Sequence, residues 1–221
     1  ERTAIEIKRK IGTGEKISLG GREYTAVELS AKILEYVKEY AEAYLGAPAD
    51  RAVISVPAYF NDVQRRETAE AGRLAGFSVE RIINEPTAAA LSYGISHLEE
   101  ESYLMVYDLG GGTFDVTVLE MFEGVLEVKA SSGDNRLGGK DFDQHLMQWL
   151  REKFETKYGV SLDGNVLAES RLKNAAEECK ISLSEQDSAV VRLPLLAEKD
   201  GQPLGLEETV TREEFETMIA G

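Results

Sequence analysis

Apolar residues recur along this chain in two rhythms, one close to two residues and one close to three and a half. Lys16-Ile17-Ser18-Leu19 and Arg22-Glu23-Tyr24 flank Gly20-Gly21, a pattern that predicts a hairpin. Thr25-Ala26-Val27-Glu28 has the form of a capping box. Behind it Leu29, Ile33, Leu34, Val37, Tyr40, Ala41, Tyr44 and Leu45 recur at helical spacing, so a long amphipathic helix is expected up to Gly46. Ala52-Val53-Ile54-Ser55-Val56 is a short apolar run bounded by Pro57 and reads as a strand. A second helix follows, capped by Asn61 or Asp62 and stopped at Gly76. Another short strand, Glu80-Arg81-Ile82-Ile83, leads into a helix at Glu85-Pro86-Thr87, where Pro86 suits the first helical position.

The texture changes after Gly94. His97-Leu98-Glu99-Glu100-Glu101 reads as a polar linker, and three β-rich runs follow: Tyr103 to Tyr107, Thr113 to Glu120 and Val125 to Ala130. Their connections are too short for helical crossovers, so an antiparallel meander is expected, with a domain boundary near residue 100. Helices are predicted from about Asp141 to Tyr158 and from Val166 to Ser182, then strands near Ala189 to Leu193 and Glu207 to Val210. A last capping box, Thr211-Arg212-Glu213-Glu214, starts a helix still running at Gly221. The first residue is not Met and a basic segment is already under way, so the expectation is a chain cut at both ends.

With 221 residues, 43% of them hydrophobic, the chain suits one large domain or two small ones with buried cores. No stretch approaches the roughly 18 to 20 apolar residues of a membrane-spanning helix, and no signal peptide opens the sequence. A cytoplasmic protein without a membrane partner is expected. The single cysteine, Cys179, cannot form an internal disulfide and is assigned a structural role. The formal net charge of -15 argues against a nucleic-acid partner, because such binding relies on neutralising phosphates with Lys and Arg. A phosphate-bearing ligand would have to be gripped locally, by glycine loops, helix N-termini and a metal ion.

One segment has that chemistry. In Asp108-Leu109-Gly110-Gly111-Gly112-Thr113-Phe114-Asp115, three glycines let the backbone come close to a ligand and turn N–H groups towards phosphate oxygens. Asp108 at a strand end can hold magnesium directly or through water, and Thr113 adds a hydroxyl. Taken locally, the same glycines suit a plain hairpin reversal. The chain contains no GxxxxGK[ST] loop, since Gly138-Gly139-Lys140 is followed by Asp141, and the Asp108 segment is not a dinucleotide GxGxxG either.

The segment resembles the second phosphate loop of DnaK-type heat-shock chaperones, the heat shock protein 70 family, within the wider actin-like ATPase superfamily. Three further blocks occur in that family's order and spacing: Val56-Pro57-Ala58-Tyr59-Phe60-Asn61-Asp62, Ile83-Asn84-Glu85-Pro86-Thr87-Ala88-Ala89-Ala90, and Gly138-Gly139-Lys140-Asp141-Phe142-Asp143. The resemblance covers the chain from Ile7-Lys8-Arg9 to Val210-Thr211-Arg212. It implies an α/β, two-lobed actin-like (ribonuclease H-like) fold, incomplete at both termini. Residues 1–100 would be a partial lobe I, with the end of subdomain IB and then part of IA. Residues 101–140 would be part of subdomain IIA and residues 141–221 subdomain IIB.

The implied activity is magnesium-dependent ATP hydrolysis that controls peptide binding in a separate C-terminal domain, absent here. By resemblance, Lys8 touches the γ-phosphate and the attacking water, and Glu85 orients that water. Asp108 holds Mg2+ through its water shell, Thr113 is a γ-phosphate ligand, and Asp115 is a further acidic residue near the metal. Gly110, Gly111 and Gly112 line the phosphates of ATP or ADP, and Gly138 and Gly139 line the nucleotide cleft. Lys140 departs from the acidic residue common at its position.

Glu177, Lys180 and Ser184 match an adenosine-binding helix; without the resemblance, Glu177 and Lys180 read as an exposed ion pair. Pro57 and Arg65 resemble a proline switch and its arginine partner. Arg81, Asn84 and Thr87 fall where the family docks its J-domain co-chaperone. Implied partners also include a GrpE-type nucleotide exchange factor and client polypeptides. A noncatalytic chaperone relative and an actin-like filament ATPase are the alternative readings. The fragment itself is expected to bind nucleotide weakly and hydrolyse it poorly.

Overall fold

The computed structural model describes residues 3–94 and 101–220. Their elements form a mixed α/β fold with small sheets, and packing divides the chain into two compact units, Glu1–Leu137 and Gly138–Gly221. The polar linker expected at His97 to Glu100 lies outside the described residues.

In the first unit a single helical turn, α1 (Ile7–Lys10), precedes the hairpin of β1 (Lys16–Leu19) and β2 (Arg22–Thr25). Gly20 and Gly21 both have positive φ, 60° and 80°, the backbone of a type I′ turn that puts Leu19 opposite Arg22. The capping box forms at the start of α2 (Ala26–Leu45): Glu28 N–H donates to Thr25 Oγ1 at 3.1 Å and Thr25 N–H donates to Glu28 Oε2 at 2.7 Å. Gly46 ends the helix in the left-handed conformation. The apolar stripe of α2 is covered only at its start, however. Leu29 packs with Ile7, Ile11, Val56 and Phe60, whereas Ile33, Val37, Tyr40, Tyr44 and Leu45 stay exposed.

β3 (Arg51–Val56), α3 (Asp62–Leu74) and β4 (Ser78–Asn84) make a strand–helix–strand unit with β3 parallel to β4. Asn61 is the N-cap of α3, and it shares a capping box with Gln64. α4 (Glu85–Gly94) follows β4 directly. β5 (Ser102–Leu109), β6 (Phe114–Phe122) and β7 (Val125–Asp134) then form the expected antiparallel meander in the order β5-β6-β7. Its contacts with the earlier elements include the Tyr59 hydroxyl donating to the Ser131 carbonyl at 3.1 Å.

The second unit holds α5 (Gly139–Tyr158), α6 (Val166–Glu185), the hairpin of β8 (Ser188–Lys199) and β9 (Gln202–Thr211), and α7 (Arg212–Met218). Leu146, Leu150 and Phe154 form an i, i+4 stripe on α5. They share a core with Leu172, Ala176, Cys179 and Leu183 of α6, Val191 of β8, Val210 of β9 and Phe215 of α7. Burial pushes the Cys179 thiol up, which fits the structural role expected for it.

The hairpin runs well past the short strands predicted. Pro194 and Pro203 obscured it in the sequence, since proline cannot donate to a ladder. The register shifts between Leu193 and Ala197, which takes Pro194 out of the regular pairing, and the reversal is made by Asp200-Gly201 with φ of 53° and 72°. No helix among the described residues is long and apolar enough to cross a membrane.

Phe154 is fully buried at the centre of the second core. Phe154→Ala should cost about 3–5 kcal/mol through lost transfer energy and the cavity left behind. Urea unfolding followed by the fluorescence of Trp149, which packs against the same core, measures it.

Candidate functional site

The ends of β5 and β6 and the loop between them bring the candidate phosphate chemistry together. The register pairs Asp108 with Asp115 and Leu109 with Phe114, so two carboxylates stand directly opposite each other at the mouth of the loop. Like charges in such a pair repel, and nothing in strand formation favours them. On its other side Asp115 pairs with Gly133 of β7. A side chain at Gly133 would collide with the Phe114 carbonyl oxygen and approach Asp115 Oδ1 to 3.0 Å.

Asp115 is only 1% exposed, and its Oδ1 has no hydrogen-bond partner. Burial, then the nearby carboxylates of Glu85 and Asp108, push its carboxyl above the usual aspartate range. The Lys8 ammonium and the Ala58 N–H pull the other way without cancelling the shift. Lys8 Nζ lies 2.9 Å from Glu85 Oε1, an ion pair that joins α1 to the start of α4. Lys8, Glu85, Asp108 and Asp115 therefore occupy one electrostatic neighbourhood.

The loop itself separates the two readings of its glycines. None of Gly110, Gly111 and Gly112 lies in the left-handed region, so the reversal does not require glycine at these positions. Gly110 N–H donates to the Thr113 carbonyl at 3.0 Å and closes the turn. A Cβ at Gly111 would meet no protein atom within 4 Å. At Gly112 the neighbour is a side chain from α1: Arg9 donates to the Gly112 carbonyl through Nε at 3.2 Å and Nη2 at 2.8 Å. Beside the loop, Lys8, Arg9, Thr13, Phe60, Gln64, Thr113, Asn135 and Arg136 line a cavity of about 190 Å³. Three of these side chains are cationic and none is a carboxylate, an anion-compatible lining in a chain of net charge -15.

Pro57 is fully buried, and Arg65 reaches the turn that follows it. Its Nε donates to the Phe60 carbonyl at 2.8 Å and its Nη2 to the Ala58 carbonyl at 3.0 Å. The pair named from the sequence is thus joined through the backbone of the 57–60 turn, whose Ala58 N–H also faces Asp115.

The second unit carries the other candidates. Lys180 donates to the Gly139 carbonyl at 3.0 Å and pairs with Asp143 Oδ1 at 2.6 Å, while Glu177 and Ser184 are exposed on the same side of α6. The partner of Lys180 is the first turn of α5, not Glu177. A groove of about 660 Å³ runs along another face of α6, past Arg171, Asn174, Glu178 and Ser182.

Two comparisons bear on this arrangement. The sequence matches the family described as Hsp70 protein over residues 2–221. It is 50% identical, over 217 residues and 98% of this chain, to the "Chaperone protein DnaK" of Ureaplasma parvum serovar 3. The same figures hold for the protein of that name from Ureaplasma urealyticum serovar 10. The chain belongs to the Hsp70 family. It spans 36% of the length of these Hsp70 relatives.

Sequence reasoning did not single out Arg9, Arg136 or Asp143 as site residues. Arg9 and Asp143 sit inside blocks already recognised, Ile7-Lys8-Arg9 and Gly138 to Asp143. Their partners, Gly112 and Lys180, are 103 and 37 residues away, beyond the reach of any local pattern.

The raised carboxyl of Asp115 has a defined linkage. A folded-state pKa above the unfolded value means that the contribution of Asp115 is fully present below about pH 3.9 and is lost as pH rises through the folded value. Asp115→Asn removes that dependence. Its stability relative to the parent chain should therefore improve between pH 4 and pH 7 in urea unfolding followed by far-ultraviolet circular dichroism. An unchanged difference would show that the carboxyl titrates normally.

Proposed function

We propose that this chain is the nucleotide-binding ATPase part of a DnaK-type chaperone, with the two-lobed actin-like fold. Residues 1–100 would contribute to lobe I, residues 101–140 to subdomain IIA and residues 141–221 to subdomain IIB. The observation that carries the reading is the loop at 110–112. Its glycines are not needed for its own backbone, yet Gly111 faces open space two residues before Thr113, which lines one cavity with Lys8. Such a loop suits phosphate oxygens, which need donors close to the backbone rather than bulky side chains.

The acidic residues fit a hydrated magnesium ion. Mg2+ retains several waters and needs few carboxylates, and Asp108 and Asp115 bring two to the mouth of the loop. The carboxyl groups of Asp108 and Asp115, paired at the strand ends, would face that water shell. When bound, the ion would neutralise charge on the phosphates of ATP or ADP.

In this reading the chain's own work is positioning. Glu85 orients the attacking water, Lys8 offsets charge at the γ-phosphate, and Thr113 ligates the same group. In the second unit, Gly138, Gly139, Glu177, Lys180 and Ser184 take the adenosine part, with Asp143 fixing the Lys180 ammonium. Pro57 and Arg65 relay the nucleotide state to a peptide-binding domain. A J-domain co-chaperone at Arg81, Asn84 and Thr87, a GrpE-type exchange factor, client polypeptides and a cytoplasmic setting belong to the same proposal.

Calorimetric titration of magnesium ADP into the chain tests the site. Saturable binding is expected; in the same titration with magnesium ATP, Thr113→Val should weaken binding about fivefold to tenfold by removing one hydrogen bond to the γ-phosphate, with little change for magnesium ADP. In single-turnover hydrolysis of ATP, Glu85→Gln should slow the chemical step by about 10² to 10³ with little change in ADP affinity. Absence of nucleotide binding would leave a noncatalytic relative as the better account.

A further inference from the structure

Arg9 follows Lys8 in the single turn of α1, and successive residues of a helix point about 100° apart. Lys8 is thereby directed to Glu85 and Arg9 to the loop between β5 and β6. The Arg9 guanidinium chelates one oxygen, the Gly112 carbonyl, with two N–H donors at 3.2 and 2.8 Å. It also lies 3.8 Å from Glu6. A Cβ at Gly112 would sit 3.0 Å from Arg9 Nε and 3.4 Å from Nη2, so the third glycine of the loop is the one that admits the guanidinium.

We propose that Arg9 is a positioning residue for the phosphate loop, acting through its fork on the Gly112 carbonyl; this rests on the nucleotide reading of the site. The peptide unit is planar and trans, so its C=O and N–H point in opposite directions. Holding the Gly112 carbonyl against Arg9 therefore turns the Thr113 N–H away from α1 and fixes the plane on which Thr113 is mounted. Lys8 and Thr113 are thereby set from one rigid turn, although they are 105 residues apart in sequence. The fork requires arginine, because lysine presents a single compact ammonium and cannot offer two donors in a fixed plane.

Arg9→Lys and Arg9→Gln, made in the full chain, separate geometry from charge. In the free chain, exchange of the Gly110 amide, which is bonded to the Thr113 carbonyl, should be faster in both variants by about tenfold, the scale of one charge-assisted hydrogen bond. Calorimetry should show both variants about tenfold weaker for magnesium ATP and magnesium ADP, with adenosine affinity unchanged.

Parent-like phosphate-dependent affinity in Arg9→Lys, with loss only in Arg9→Gln, would overturn the proposal in favour of a role for charge alone. Equal loss for adenosine and the nucleotides would overturn it in favour of a general structural role. Unchanged Gly110 exchange in both variants would also overturn it. Failure of the parent chain to bind any nucleotide would sink the nucleotide reading on which the proposal rests, and the proposal with it, even if Gly110 exchange showed that the fork holds the loop.

Discussion

A carboxylate buried without full compensation is the constraint around which the first unit is arranged. Asp115 is almost entirely removed from solvent, and one of its oxygens has no hydrogen-bond partner. Such a group costs free energy unless opposite charge or donors come near it. Lys8 and the Ala58 N–H supply part of that, while Glu85 and Asp108 work against it. A site that gathers three carboxylates around a glycine loop is poorly optimised for stability alone, which is the usual signature of a place kept for a ligand.

Four separate segments meet there, each delivered by a different local device. α1 projects Lys8 and Arg9 in different directions from one turn. The 57–60 turn, clasped by Arg65, presents the Ala58 N–H. The junction of β4 and α4 places Glu85, and the meander places Asp108 opposite Asp115. The second unit repeats the principle on a smaller scale. Lys180 is held between the buried Asp143 and the Gly139 carbonyl, so its ammonium is fixed by α5 rather than left to a neighbour on its own helix.

Family membership gives this geometry its most economical interpretation, but it does not by itself explain particular residues. The glycines show the difference. A loop of three glycines before Thr113 is recognisable as a motif, yet only the backbone conformation reveals that the reversal could have been built without them. Gly112 instead accommodates Arg9, Gly111 faces open space, and Gly110 closes the turn.

Much of the fold was legible because it is decided over three or four residues. The capping boxes at Thr25 and Thr211, the Asn61 cap and the Gly20-Gly21 reversal each follow from side-chain acceptors and backbone freedom close at hand. The meander was legible from period-two runs with short connections. The candidate site was legible as a set of blocks, though not as a set of contacts. What only the tertiary structure decided is which apolar and polar groups find partners. The apolar stripe of α2 runs the length of the helix but is covered only near Leu29, and the length of the β8–β9 hairpin depends on a bulge around Pro194. Arg9 meets Gly112 and Asp143 meets Lys180 across long stretches of chain. Local propensity carries no record of such pairings, because burial and ion pairing depend on which distant segments pack together.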